Sequence, residues 1–221
     1  MRKETGFTLI ELMVTIAVMA IMAAIALPAM GTFIEKQQVK SSVNKYMNTL
    51  TFARNEAIRQ NIPVVACGAN LSSAGQLTTN GCGANWSEGL FLFGDVDGDH
   101  SYTAGKDINI RVTQSPNSNQ KSVVTINVEA MPNTVSGTSL SSNPVVQFYP
   151  NGQVGVRVGS STDDEFLIGS NFLQMSVISM DNSTISSVGL LDPVGRVINC
   201  GVKAKKENSG NKIAKLCKFE S

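Results

Sequence analysis

Apolar residues run from Phe7 to Met30 with one charged interruption, Glu11, behind a short polar leader that ends at Gly6. A helix rises ~1.5 Å per residue and about 20 apolar residues cross the hydrocarbon layer, so the run predicts one transmembrane helix over 7–30. From Gly31 the pattern changes. Val39, Val43, Tyr46, Leu50, Ala53 and Ala57 recur at alternating spacings of four and three, with Lys36, Lys40, Lys45, Asn48, Arg54 and Arg59 around them. That is one apolar stripe on an amphipathic helix continuing over 31–61, and Pro63 marks its end. Beyond Ile62 the period falls to two. Strands are expected at 64–67, 90–93, 108–112, 123–128, 145–149, 154–158, 166–168, 173–179 and 194–202, with turn-rich stretches at 68–85, 114–120 and 132–143. Pro150-Asn151-Gly152 reads as a hairpin turn between two of them.

A long helix followed by a run of strands predicts an α+β fold, the helix packed on a C-terminal antiparallel β-sheet domain over 62–221. No internal repeat divides that domain. The leader, 1–6, carries Arg2 and Lys3 but no apolar stretch of its own. A secretory signal would be cut after its apolar segment, whereas here the polar/apolar break precedes it. The two basic residues place the short N-terminus in the cytoplasm, which makes the chain a single-pass inner-membrane protein with a periplasmic domain.

Glu11 changes what the anchor is for. An acidic side chain within a bilayer helix costs about 3 kcal/mol on insertion scales, so it needs a partner or a task. Cutting after Gly6 would expose an amine on Phe7, about one helical turn from Glu11, and the amine of one helix could neutralise the carboxylate of its neighbour. Gly6-Phe7-Thr8-Leu9-Ile10-Glu11 resembles the prepilin cleavage motif of type IV pilins and type II secretion pseudopilins, and Pro28 falls where many of them bend. The resemblance implies cleavage between Gly6 and Phe7 by a prepilin peptidase, N-methylation of Phe7, and Glu11 as the assembly residue. It further implies an inner-membrane assembly platform and other pilin or pseudopilin subunits as partners.

Three later stretches narrow the resemblance. Ala53-Arg54-Asn55-Glu56-Ala57-Ile58 leads into Pro63-Val64-Val65-Ala66-Cys67; Trp86-Ser87-Glu88-Gly89-Leu90-Phe91-Leu92-Phe93-Gly94-Asp95 and Phe148-Tyr149-Pro150-Asn151-Gly152 follow. This succession is similar to the H-type pseudopilin of type II secretion and the FimT/FimU-type minor pilins. It implies a low-copy subunit that starts or caps a filament, in a pilus or in a secretion pseudopilus.

Four cysteines lie beyond the anchor, an even number in an oxidising compartment, which points to disulfides rather than zinc. Three pairings exist. Cys67–Cys82 and Cys200–Cys217 are favoured because each closes a short polar loop. Asp95-Val96-Asp97-Gly98-Asp99 with Asp107 has the look of a calcium loop, but His100 and Lys106 occupy the positions where an EF-hand needs Gly and Glu. The expected role is a turn between strands, with no metal and no cofactor; calcium bound in the loop is the alternative. His100 is the only histidine and no nucleophile–base arrangement accompanies it, so no enzymatic activity is expected.

Net charge is +1, which gives no whole-chain attraction to nucleic acid, but the C-terminal region is locally basic. Lys203, Lys205, Lys206, Lys212, Lys215 and Lys218 stand against Glu207 and Glu220, most of them inside the loop that a Cys200–Cys217 bond would close. FimT-type pilins linked to natural transformation bind DNA through a C-terminal Gly-Arg-x-Arg pattern. Gly195-Arg196-Val197-Ile198 keeps the first arginine and replaces the second with isoleucine. The alternative expectation is therefore a DNA-uptake subunit that binds double-stranded DNA through Arg196 and these lysines. Otherwise they form a subunit contact or a solvated surface.

Overall fold

The structure, a computed structural model, describes residues 8–72, 74–83, 86–115, 124–132, 141–142, 144–157, 166–169, 171–179, 185–202 and 217. The leader, Phe7 and the lysines from Lys203 to Lys218 lie outside these. Helix α1 runs Leu9–Gln60, about 78 Å at the usual rise. Asn61 in the left-handed region (φ 55°) ends it two residues before Pro63. The stripe behaves as its spacing predicts: Val39, Val43, Tyr46, Leu50, Ala53 and Ala57 are all fully buried, with Met47 beside them.

The strands form two antiparallel sheets. One has the order β4 (Ile108–Gln114), β3 (Gly89–Gly94), β1 (Val64–Leu71), β7 (Val145–Phe148), β8 (Val154–Arg157), β9 (Leu167–Ile168), with β2 (Leu77–Gly83) pairing the far end of β1. The other has the order β12 (Val197–Val202), β11 (Ser186–Leu191), β10 (Asn171–Ser179), β5 (Val124–Pro132), β6 (Ser141–Ser142). The distal half of α1 packs against both. Its buried stripe meets Val64, Ala66, Leu90, Leu92 and Phe148 of the first sheet and Leu173, Met175, Val177 and Leu191 of the second in one core. Arg54 joins their ends, its Nε donating to Gly152 O (3.1 Å) in the β7–β8 turn while its side chain lies against Gly195 in the β11–β12 turn.

Each sheet also buries part of its outer face. Val65, Cys67, Ala69, Phe91 and Phe93 form a cluster under Leu77, Cys82 and Tyr102; Phe172, Val188 and Leu190 form another beside Ile198, Cys200 and Cys217. Each disulfide sits at the margin of one cluster, Cys67–Cys82 on the first sheet and Cys200–Cys217 on the second.

Several expected boundaries move. The stretch 68–85 is not all turn: β1 continues to Leu71, and Leu77–Gly83 pairs with it as β2. Within the expected 132–143 turn, Ser141–Ser142 pairs with β5. The strand expected at 194–202 begins at Val197, because Asp192 caps a turn through Arg196. Ser186–Leu191 was not expected as a strand at all. All six of its residues are buried, so it lacks the alternation that marks a strand with one wet face. In the β7–β8 hairpin only Gly152 has positive φ (82°); Gly152 N donates to Tyr149 O (2.9 Å), a turn of the type I kind closed by a left-handed glycine rather than an Asn-Gly pair.

Gly189 in β11 permits a close helix–sheet approach. A Cβ there would lie 2.8 Å from Met47 Cε and 2.9 Å from Val43 Cγ1. Val43 has little rotamer freedom within a helix, so the added bulk must move the backbone. Gly189→Val is expected to cost ~1–3 kcal/mol in urea unfolding. A change near zero would show that α1 is free to shift on the second sheet.

Candidate assembly surface

The proximal half of α1 lies outside the buried core of the domain. Large apolar side chains are exposed along it over residues 9–25 and 30–34, Leu9 at 76% and Ile34 at 51%. A soluble domain rarely exposes an apolar surface of this extent, so this one is built to be covered. The straight parts Leu9–Ile25 and Met30–Gln60 meet at 43° across the segment that holds Pro28. Neither part alone is long and apolar enough to cross a membrane, but the pair together meets the length and composition needed.

The start of the helix is set by Thr8. In extended conformation (φ −79°, ψ 150°), its Oγ1 accepts from Glu11 N at 3.3 Å. Thr-x-x-Glu is the capping-box pattern, a signal present in the sequence that assigns the Glu11 position a local task as well. The backbone of Glu11 takes part in the cap. Its carboxylate has no hydrogen-bond partner among the described residues and lies in the first turn, where a negative charge suits the helix dipole. Gly6 and Phe7, the expected cleavage and methylation positions, fall outside the described residues.

The acidic loop is a turn held by its own carboxylates. Asp95, buried, accepts from Gly98 N (2.9 Å) and His100 N (3.3 Å), and its Oδ2 meets His100 Nδ1 at 3.1 Å. Asp107 accepts from Val96 N (3.0 Å) and Thr103 N (2.7 Å), and Lys106 pairs with Asp97 at 3.4 Å. Oxygens of Asp95, Asp97 and Asp99 lie within 4.8 Å of one another. His100 supplies the left-handed residue (φ 61°) that an EF-hand takes from glycine. The loop therefore places Tyr102 over Phe91 and Phe93, with ring centroids at 5.0 and 5.6 Å.

The two disulfides join Cys67 to Cys82 and Cys200 to Cys217, the pairing that closes short loops. Arg196 is 72% exposed, and its Nε donates to Oδ2 of buried Asp192 at 2.7 Å. The other Asp192 oxygen accepts from Val194 N and Arg196 N (3.1 and 2.7 Å). Burial pushes the Tyr46 phenol well above its ordinary range, against a smaller lowering by a Ser115 hydrogen bond. Tyr46 OH donates to Trp86 O at 2.9 Å, a structural use.

Residues 1–27 match the family described as the prokaryotic N-terminal methylation motif. Residues 42–182 match the type II transport protein GspH, well over half of the chain. The chain belongs to the GspH family. It carries the N-terminal methylation motif, and the GspH match sets it among pilin-like structural subunits rather than enzymes. Among curated relatives, Fimbrial protein Q of Moraxella bovis is 51% identical over 45 residues, 20% of this chain and 29% of that protein. The type IV major alpha-pilin of Moraxella bovis is 58% identical over 38 residues, 17% of this chain and 24% of that one. The chain thus spans under a third of the length of these relatives. Among solved structures, the type IV minor pilin FimU of Pseudomonas aeruginosa is 14% identical at a TM-score of 0.43, covering 76% of this chain and 91% of that one. The minor pseudopilin EpsH of Vibrio cholerae is 10% identical at 0.41, covering 74% and 97%.

Proposed function

We propose that this GspH-family chain is a low-copy subunit that starts or caps a type IV pilus or a type II secretion pseudopilus. In this reading a prepilin peptidase cuts between Gly6 and Phe7 and methylates the Phe7 amine. An inner-membrane assembly platform then draws the subunit from the membrane, with its β domain on the periplasmic side. One observation carries the proposal: α1 exposes large apolar side chains over residues 9–25 and 30–34 and bears a Glu11 carboxylate without a hydrogen-bond partner among the described residues, while the domain completes its core without that half. Burial in a bundle of like helices would cover the apolar surface, and a neighbour's Phe7 amine would answer the charge.

A subunit that starts filaments controls their number. Deleting the gene is expected to leave few filaments of normal length, and low-level expression to restore their count. Normal numbers of shortened filaments would overturn initiation and assign the subunit to elongation. The DNA-uptake alternative draws less support, since the guanidinium of Arg196 is engaged by Asp192 and closes the β11–β12 turn.

A further inference from the structure

We infer that the groove between α1 and edge strand β4 is a docking site for an extended acidic segment of another polypeptide, whose carboxylates pair with Arg111 and Lys45. The groove is open, about 510 Å³, and is lined by Lys45, Asn48 and Thr49 of the helix and by Arg111, Thr113 and Gln114 of the strand. Its cations are arranged before any partner arrives. Lys45 Nζ donates to Gln114 O at 2.8 Å, and the Arg111 guanidinium carbon lies 4.1 Å from the Phe52 ring centre. Each is held by a neutral group, and neither has a carboxylate partner among the described residues. Glu56, one turn beyond Phe52, is occupied by Arg59 and Gln60. The neighbouring segment 116–123 contains no acidic residue.

Strand geometry aims the site. Leu92 pairs with Arg111 and Phe93 with Asn109, so Ile110 is an extra residue in β4. Such a bulge bends an edge strand and places Ile110 and Arg111 on the same, helix-facing side. The Thr49 and Thr113 hydroxyls, 3.2 Å apart, form the floor. β4 pairs only with β3 among the described residues, so its free edge offers backbone hydrogen bonds to an added strand. In such a strand, acidic residues at alternate positions share one face at a spacing of about 7 Å. Two cations beside a strand edge suit a peptide, whereas nucleic-acid binding draws on a larger set of phosphate contacts. The inference does not depend on the filament reading.

The test uses the full-length chain in detergent with fluorescent peptides of alternating Glu and Thr, of alternating Gln and Thr, and a short DNA duplex. The Glu peptide is expected to bind saturably, to weaken with salt, and to lose about tenfold in affinity in R111Q and in K45Q. K106Q, which removes a lysine from the acidic loop, should bind as wild type. R111E should instead bind a peptide of alternating Lys and Thr, which keeps the test decisive where neutral variants fold poorly. Equal binding of the Glu and Gln peptides, no saturable binding, or no exchange of preference in R111E would overturn the inference. Duplex binding lost in R111Q and K45Q, without peptide binding, would overturn it in favour of a phosphate site.

Discussion

Glu11→Val is expected to insert into the membrane more readily than the wild type, and to enter filaments about a hundredfold less efficiently. Removing the carboxylate relieves an insertion cost of about 3 kcal/mol. In the assembled bundle the same change leaves a neighbour's Phe7 amine buried without its partner, and breaking a buried pair costs ~3–5 kcal/mol. The Thr8 cap separates this effect from local unwinding. It uses the backbone N of Glu11, so valine leaves it intact. Glu11→Gln provides the second arm, since the amide keeps the shape and hydrogen-bonding capacity of the side chain without the charge. Quantitative immunoblotting of sheared filaments against membranes reads both variants. If Glu11→Gln incorporates as wild type while Glu11→Val does not, a polar contact of the side chain rather than charge pairing recruits the subunit. Wild-type incorporation of both would remove Glu11 from assembly.

Much of the fold was legible because its signals are local. The stripe from Val39 to Ala57 follows the helical period, and each of its positions is buried. The strands β3, β7 and β10 also stood out by their apolar character. What stayed hidden depends on distant pairing. β11, Ser-Ser-Val-Gly-Leu-Leu, is buried on both faces: Val188 and Leu190 face the outer cluster while Gly189 lies against Met47. Its alternation is therefore absent and its glycine reads as a turn. β2 contains Asn80-Gly81-Cys82-Gly83 and gains strand form from pairing with β1 and the bond to Cys67. The division into two sheets rests on pairs such as β10 with β5, about 45 residues apart, for which no local pattern exists.

The site divides the same way. A lone charge in an apolar run identifies Glu11, and Thr8 three residues earlier identifies the cap. Arg111 could not be found so, because the bulge at Ile110 breaks the period of two that would have assigned its face. Arg196 has a structural use that its motif does not show. Its place after Gly195 suggested a phosphate contact, yet its backbone N and its Nε both bond to Asp192, and the left-handed Gly195 (φ 81°) between them makes room for Arg54. That Gly-Arg pair has a complete structural explanation in the β11–β12 turn. Any nucleic-acid contact of Arg196 would have to use the remaining donors of its exposed guanidinium.

Removing the Cys67–Cys82 bond by paired alanine substitution is expected to destabilise the domain by ~3 kcal/mol through loop entropy, and by more in total. The comparison with Cys200–Cys217 isolates the rest. The sequence separations are 15 and 17, so the chain-entropy terms differ by only ~0.1 kcal/mol. A measured difference between the two double variants is then a native-state effect. Cys67 is fully buried against Phe91 and Phe93, and the β2 segment it anchors lies over that cluster, where Gly81 lets Phe91 and Tyr102 approach closely. Without the bond, β2 keeps three register pairs with β1, interrupted by a bulge, and the Asn70 side-chain bond to Cys82 O at 3.1 Å. That ladder is too short to hold the cover by itself. Fraying would wet part of two phenylalanines, adding about 1 kcal/mol or more to the loss. Urea unfolding of the full-length chain in detergent should therefore place C67A/C82A below C200A/C217A. The reverse order would mean that the cluster of Phe172, Val188 and Leu190 on the second sheet is the one that depends on its disulfide.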